Sequence, residues 1–224
     1  MGQGAADDNR QMRLPAAAEP FVAALRAVVD PIAAAPAATA AAPHSEALTP
    51  AAVLVPVVLA EAGPELLFTV RNSRLRRHPG QISFPGGRVD PDDRDPGHTA
   101  LREAEEELGI HPEDIALVGC LDTCITGTGY SVVPVVGLLR SGYPYRPSAE
   151  EVEEIFHAPV AHLLDAGNHQ RGQREINGAQ RSYYEIWYRD FRIWGATAQM
   201  IVGLHRRLAA AEGAGSAVRQ LHPG

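Results

Sequence analysis

Apolar residues follow two different periods along this chain, and the changes of period mark the predicted elements. Residues 19–34 carry apolar side chains at helical spacing, namely Phe21, Val22, Leu25, Val28 and Val29. Residues 35–50 are rich in Ala and Pro without a period, which is typical of a linker. The pattern therefore predicts an N-terminal arm over 1–49, a main domain over 50–208 and a tail over 209–224.

Within the main domain, extended segments alternate with helices. The predicted strands span 52–59, 66–71, 115–124 and 130–139, and two more lie within 183–194 around a turn at 189–190. The first two are predicted to form a hairpin, because a Gly-Pro turn lies within 61–65. One predicted helix begins at His98 or Thr99 and ends before Gly109, a second covers 149–165 with a break near Pro159, and a third covers 196–211. Residues 72–97 are predicted to be irregular. This mixture predicts an α/β layer architecture.

The helix that ends before Gly109 is strongly acidic. At about 100° per residue, Glu103, Glu106 and Glu107 share one arc of about 100° beside the apolar stripe of the helix. Like charges one turn apart destabilise a helix, and no basic residue stands one turn away from Glu103 or Glu107 to neutralise them. Hard oxygen ligands at this spacing suit Mg²⁺ or Mn²⁺, although a solvated acidic face is the alternative.

A glycine-rich segment precedes this helix. Pro85 fixes one backbone angle, and Gly86 and Gly87 let the backbone approach a phosphate or a helix end closely. By itself this segment is an ordinary turn. Its position fifteen residues before Arg102 favours a phosphate-binding role.

Composition restricts the chemistry further. All 20 basic residues are Arg, so a phosphate clamp must use Arg, metal or backbone N–H groups, and lysine mechanisms are excluded. A basic cluster precedes the glycines, formed by Arg71, Arg74, Arg76 and Arg77. It is interpreted as a clamp for substrate phosphates, or alternatively as loop charge paired with the acids of 92–95.

Charge, cysteine content and targeting signals predict a cytoplasmic protein. The net charge of −7 argues against nucleic acid and anionic membranes as partners. Cys120 and Cys124 predict free thiols in a reducing compartment. The longest apolar run, about ten residues, is too short to cross a bilayer, and no secretory signal is recognised.

At the acidic helix the sequence resembles the Nudix hydrolase family. Residues 102–110, Arg-Glu-Ala-Glu-Glu-Glu-Leu-Gly-Ile, match the second half of the family's box without exception. The first half departs from it, because Arg94 stands where the family usually has Glu and Gly87 lies one residue further upstream than usual. The acids that would substitute for this Glu are Asp90, Asp92, Asp93 and Asp95.

Further segments resemble the coenzyme A diphosphatase branch of that family. They are 66–71, 75–87, 151–156 and 193–198. The resemblance implies a Nudix fold, an α/β/α sandwich with a mixed sheet, to which the arm adds a helix. It also implies Mg²⁺- or Mn²⁺-dependent hydrolysis of coenzyme A or acyl-CoA to 3′,5′-ADP and (acyl-)4′-phosphopantetheine.

The resemblance also assigns residue roles. Glu103, Glu106 and Glu107 are expected to bind metal; Arg102 is expected to orient a box Glu through a bidentate pair; and Arg71, Arg74, Arg76, Arg77, Gly86 and Gly87 are expected to contact substrate. Glu106 and Glu154 are candidate catalytic acids or bases, and Glu151 and Glu153 are further candidates.

Alternative functions remain open at this point. A Nudix hydrolase of another nucleoside diphosphate derivative, such as a nucleotide sugar, a dinucleotide or a nucleoside triphosphate, would keep the metal and the fold. A non-catalytic nucleotide sensor would keep the fold only. The apolar stripe of the arm packs either on the domain or on the second subunit of a homodimer.

Overall fold

A mixed β-sheet forms the centre of the molecule. The computed structural model describes residues 14–34, 48–75, 79–176 and 179–221, and every structural statement refers to these residues. The central sheet has eight strands: β1 (Thr49–Ala60), β2 (Gly63–Arg71), β3 (Ile82–Ser83), β4 (Gly86–Arg88), β5 (Ala116–Cys120), β6 (Cys124–Ile125), β7 (Tyr130–Arg140) and β8 (Val152–Pro159). The spatial order is β3-β2-β1-β7-β5, with β8 beside β2, β4 beside β1 and β6 beside β7.

The pairing of β1 places the glycine-rich segment at the centre of the sheet. β1 forms the predicted hairpin with β2 and pairs in parallel with β7 from Thr49 opposite Tyr130 to Leu59 opposite Arg140. The start of β1 also pairs with β4, which sets Ala52 opposite Gly87. The other strand pairs of the sheet are antiparallel.

Helices cover both faces of this sheet. They are α1 (Glu19–Val28), α2 (Pro96–Leu108), α3 (Val160–Leu163) and α4 (Ala196–Leu221). Ala100, Ala104 and Leu108 of α2 are fully buried against one face. α1 and α4 bury their apolar side chains in the core cluster on the other face. The predicted α/β class is confirmed, with helices on either side of a mixed sheet.

The N-terminal helix packs on the domain's own core. Val22 and Leu25 are 1% and 0% exposed. Arg207 of α4 fastens this helix because it donates hydrogen bonds to the Val28 carbonyl and to Asp30, at 2.7 Å each. The same guanidinium also donates to both carboxylate oxygens of Asp122.

A second, three-stranded sheet lies between α3 and α4 in the chain. It consists of β9 (Gln170–Ile176), β10 (Ala179–Tyr188) and β11 (Phe191–Trp194), all antiparallel. The predicted turn at 189–190 is confirmed, and Arg189 adopts a left-handed φ of 53° there. The sequence did not predict β9, because its polar residues show no alternation.

Several predicted boundaries were wrong. The last helix, predicted over 196–211, extends to Leu221, and the strand predicted over 115–124 is divided into β5 and β6. Residues 149–165 were predicted to be helical, but most of this segment is β8, and only the short α3 follows Pro159. Pairing of β8 along β2 prevails over the helical preference of its glutamates. Residues 72–97 contain β3 and β4, and α2 begins at Pro96, earlier than predicted.

Among the described residues, no helix combines the length and hydropathy needed to span a bilayer.

Candidate active site

Both ends of α2 are fixed by local sequence. Asp95 is the N-cap, and its carboxylate accepts a hydrogen bond from the His98 N–H at 2.9 Å. Pro96 occupies the first turn, where its missing N–H costs nothing. Gly109 ends the helix in the left-handed region with a φ of 65°. Between these ends, burial of the apolar stripe against the sheet turns the acidic arc of α2 toward β4.

Glu107 is the most deeply buried carboxylate of this arc. It is 4% exposed, and the backbone N–H of Gly86 lies close enough to lower its pKa. Burial raises the pKa of Glu107 to about 8; the positive charge of Arg71 opposes this rise, and the negative charges of Glu103 and Glu151 add to it. A second positive charge at this position would therefore stabilise the ionised form.

Glu103 faces Gly87, the second glycine of β4. Its side chain is 14% exposed, and burial raises its pKa. A Cβ atom added to Gly87 would overlap the Glu103 carboxylate, so only glycine leaves this space free. Glu103 and Glu107 thus lie close together against the glycine pair, as the metal hypothesis requires.

Arg102 and Asp93 form the densest polar network beside these carboxylates. Arg102 makes its bidentate contact with Asp93, through Nε at 3.2 Å and Nη2 at 3.0 Å. Its Nη1 donates to Glu103 at 2.8 Å, and its Nη2 also donates to the Arg88 carbonyl at 2.9 Å. The predicted bidentate pair is therefore made with an aspartate of the loop before α2 and not with a box Glu, and Glu103 receives a single hydrogen bond.

Asp93 is the buried centre of this network. Its side chain is 1% exposed and also accepts hydrogen bonds from the Thr99 hydroxyl at 2.9 Å and from the backbone N–H of Asp90 at 2.9 Å. The His98 ring nitrogen lies 2.8 Å away. The hydrogen bond from Arg102 holds the pKa of Asp93 well below its usual range. Of the four candidate aspartates, Asp93 therefore makes the closest contacts with Arg102.

Glu106 is the exposed member of the predicted metal set. Its side chain is 58% exposed and lies 3.3 Å from Arg102 Nη1. Within the described part of the chain, no three Asp, Glu, His or Cys side chains stand close enough together to hold a metal ion as arranged. The donor chemistry nevertheless fits a divalent cation, because Glu103 and Glu107 offer hard oxygens and Glu107 lacks full charge compensation.

The turn that precedes β8 brings another carboxylate to this pocket. The Ser148 N–H donates to the Glu107 carbonyl at 2.9 Å, which seats the turn on the end of α2. The negative charge of Glu151 in this turn raises the pKa of both Glu103 and Glu107. Glu151 is therefore the acid of this region that lies nearest the box.

The other two candidates in this region lie elsewhere. Glu153 accepts a hydrogen bond from the Ser73 N–H at 2.8 Å. Glu154 is exposed and shares a face of β8 with Phe156, whereas its neighbour Ile155 packs on the α2 side. The structure therefore places Glu154 on the sheet face opposite α2.

The basic cluster is divided between the pocket and the surface. Arg71, at the end of β2, is half-buried and lies close enough to Glu107 to lower its pKa. Arg74 is exposed and lies near Glu153 instead. Arg76 and Arg77 lie outside the described residues. Of the two clamp arginines that the structure describes, Arg71 is thus the one that lies beside the carboxylates.

The segments that resemble the coenzyme A diphosphatase branch meet in one place. Phe68 of the first segment stacks on Phe84 of the second and on Phe156 of the third, with ring centroids 5.0 Å and 5.1 Å apart. Thr197 of the fourth segment donates a hydrogen bond to the Ile82 carbonyl at 3.1 Å. This packing supports β3 and the glycine-containing strand β4 that follows it.

Sequence comparison defines the class of protein. A family model described as NUDIX domain matches residues 48–176. Proteins from Escherichia coli strain SMS-3-5 and from Shigella boydii serotype 18, both named "Uncharacterized Nudix hydrolase NudL", are each 41% identical over 151 residues, covering 67% of this chain and 78% of the relative. An Ap4A hydrolase structure from C. elegans is 24% identical with a TM-score of 0.43, covering 50% of this chain and 80% of that one. That structural likeness is too low to bear on function.

The chain belongs to the Nudix family and is a Nudix-type pyrophosphohydrolase. Hydrolases of this family generally use divalent metal cations. The family's box includes Gly87 of β4 and the carboxylates Glu103 and Glu107 of α2.

Proposed function

We propose that this protein hydrolyses the diphosphate bond of coenzyme A or acyl-CoA, releasing 3′,5′-ADP and 4′-phosphopantetheine or its acylated form. The observation that carries the proposal is the placement of Glu103 and Glu107 against Gly86 and Gly87, with Arg71 beside them. The choice of substrate is supported by the four segments around Phe68 that resemble the coenzyme A diphosphatase branch.

The chain's own groups divide the work as follows. Glu103 and Glu107 hold Mg²⁺ or Mn²⁺, and Glu106 joins them from the exposed side of the helix. The bound cation supplies positive charge to the phosphoryl oxygens, where the charge of the reaction develops. Arg71 binds a diphosphate oxygen, and the Gly86–Gly87 backbone lets the diphosphate approach closely.

Glu151 is the proposed general base, in place of Glu154. It accepts a proton from the attacking water while the oxygen of that water bonds to phosphorus and the bridging P–O bond breaks. The support for this role is its proximity to both buried box carboxylates, whereas Glu154 lies on the opposite sheet face. Arg102 keeps Glu103 oriented through its hydrogen bond and is itself held by Asp93.

A product assay tests the substrate. The full chain is incubated with coenzyme A and Mg²⁺ or Mn²⁺, and 3′,5′-ADP is quantified chromatographically beside a panel of a nucleotide sugar, a dinucleotide and a nucleoside triphosphate. We expect the highest kcat/KM for coenzyme A or acyl-CoA, and loss of turnover with EDTA. A much higher kcat/KM for another member of the panel would reject the substrate while leaving the enzyme class intact.

A matched pair of variants tests the base. Glu151→Gln removes the carboxylate beside the pocket, and Glu154→Gln removes one on the far face. We expect kcat to fall about 100-fold or more in the first variant and to change less than about threefold in the second. Equal effects of the two substitutions would remove Glu151 from the mechanism.

A further inference from the structure

Two arginines from different elements converge on a single phenol outside the active site. Arg171 of β9 and Arg206 of α4 donate hydrogen bonds to the Tyr184 hydroxyl, at 3.0 Å and 2.5 Å. Their guanidinium carbons lie 5.3 Å and 5.4 Å from the centroid of the same ring. Two positive charges are therefore held beside one half-buried side chain.

Among the described side chains, neither arginine has an acidic partner. Arg102, Arg192 and Arg207 each pair with at least one carboxylate, whereas no ion pair involves Arg171 or Arg206. Two guanidinium groups that share one hydrogen-bond acceptor repel each other, and an anion bound between them would offset this repulsion. The cluster thus carries charge that this part of the chain does not balance.

The opposite face of the same sheet offers an instructive comparison. There Arg192 also donates to a phenol, that of Tyr183, at 3.0 Å and lies 5.5 Å from the Trp194 ring centroid. Glu185 supplies the counter-charge, accepting from Arg192 Nε at 2.8 Å. On one face of the sheet a carboxylate thus neutralises the arginine that packs on aromatic rings, whereas on the other face Arg171 and Arg206 have no carboxylate partner among the described residues.

The hydrogen-bonding capacity of the cluster matches a tetrahedral oxyanion. Each guanidinium uses a single nitrogen on the phenol oxygen, which leaves further N–H donors. The Tyr184 hydroxyl receives two hydrogen bonds, and its own proton has no acceptor among the described residues. Three donor groups that converge without an anionic acceptor among the described residues suit the terminal oxygens of a phosphate better than the two oxygens of a carboxylate.

The arginines are held in place by neighbouring contacts. His169, two residues before Arg171, meets His205, the residue before Arg206, edge to face with centroids 5.2 Å apart. The His169 ring nitrogen also lies 2.8 Å from the Leu163 carbonyl. The start of β9 is thereby fixed against α4, so the cluster is arranged before any ligand arrives.

We propose that Arg171, Arg206 and Tyr184 form a second phosphate-binding site, separate from the diphosphate pocket. Thr197, which contacts β3 beside that pocket, lies nine residues before Arg206 on α4, or about 14 Å along the helix axis. Tyr184 and Arg206 also lie beyond the 48–176 stretch that the family model matches. The site receives either free phosphate or a phosphate monoester at the far end of a nucleotide, and its existence does not depend on the proposed substrate.

Phosphate titration tests the site directly. The metal-free full chain is titrated with inorganic phosphate at constant ionic strength, and binding is followed by calorimetry and by thermal denaturation. We expect Arg206→Gln, Arg171→Gln and Tyr184→Phe each to weaken binding about tenfold or more. Arg174→Gln, which removes an exposed arginine on the other face of β9, should change it less than about twofold.

Two results would overturn the proposal: no saturable phosphate binding by the wild type, or equal binding by the wild type and Arg206→Gln while both remain folded by circular dichroism.

A second experiment identifies the source of the phosphate by comparing the binding of 3′,5′-ADP with that of 5′-AMP. A preference for 3′,5′-ADP that disappears in Arg206→Gln indicates the nucleotide monoester. Binding of inorganic phosphate without that preference indicates the free ion.

Discussion

Replacement of Asp93 by Asn probes the network that supports the box. The side chain of Asp93 is 1% exposed and receives two hydrogen bonds from Arg102, one from Thr99 and one from the backbone of Asp90. Asparagine keeps the size of the side chain but removes the negative charge and turns one acceptor into a donor. The Arg102 guanidinium then loses its principal partner.

The expected loss of unfolding free energy is about 3 kcal/mol. Breaking a buried ion pair by removing one partner costs about 3–5 kcal/mol. Arg102 is 22% exposed, so water compensates part of this loss, and the lower end of the range applies. In a domain of this size, about 3 kcal/mol corresponds to a fall in Tm of about 6–12 °C.

Urea denaturation at several pH values measures this loss, with the exposed Asp92→Asn as control. The folded pKa of Asp93 lies below its unfolded value of about 3.9, so its stabilisation is present above about pH 4 and is lost as the pH falls toward the folded pKa. The gap between wild type and Asp93→Asn should therefore narrow as the pH falls from about 5 to 3. A loss within about 0.5 kcal/mol of the Asp92→Asn value, or a gap independent of pH, would refute the reasoning.

Three further substitutions follow from the described contacts. Glu107→Gln should lower kcat by orders of magnitude. In EDTA this variant should be more stable than the wild type at pH 8 and should lose that advantage toward pH 5. The reason is that the folded pKa of Glu107, about 8, lies above its unfolded value, so the wild-type protein loses stability as the pH rises between the two values. Tyr145→Phe removes a buried hydroxyl without a partner among the described residues, so calorimetry should show unchanged or slightly higher stability, whereas Tyr143→Phe, which breaks two hydrogen bonds, should cost about 1 kcal/mol. Gly87→Ala should lower kcat with the fold retained, while Gly203→Ala, in open space on α4, should leave kcat unchanged.

Contrary outcomes for these variants have specific meanings. Near-normal kcat in Glu107→Gln would exclude this carboxylate from metal binding. A clear loss of stability in Tyr145→Phe would mean that its hydroxyl has a partner in solution. Full activity of Gly87→Ala would show that the neighbouring carboxylate can shift without consequence.

Local sequence signals predicted much of the fold. The α2 helix was predicted because its apolar stripe is regular and Gly109 ends it, and the β1–β2 hairpin was predicted from two apolar runs around a Gly-Pro turn. β8 was missed because its glutamates favour a helix locally, and only pairing with β2 overrides that preference. β9 was missed because its side chains do not alternate between apolar and polar.

The candidate site, like the fold, could be predicted only in part from the sequence. The carboxylates of α2 share an arc that the helical period fixes, so Glu103 and Glu107 could be placed together from spacing alone. The sequence could not identify which of four nearby aspartates holds Arg102, because that choice depends on how the loop before α2 folds back. Nor could it separate Glu151 from Glu154. The turn before β8 brings Glu151 to the box, whereas the alternation of β8 places Glu154 on the sheet face opposite α2.

The parallel ladder between β1 and β7 has a consequence for the order of assembly. Its partners lie about 80 residues apart in the chain, and the whole box is encoded between them. Contacts of such long range form slowly, because a large loop must close before they contribute. On the ribosome, the β1–β2 hairpin and the acidic helix α2 emerge well before β7. The central sheet beneath the active site is therefore complete only when the second half of the polypeptide has been synthesised.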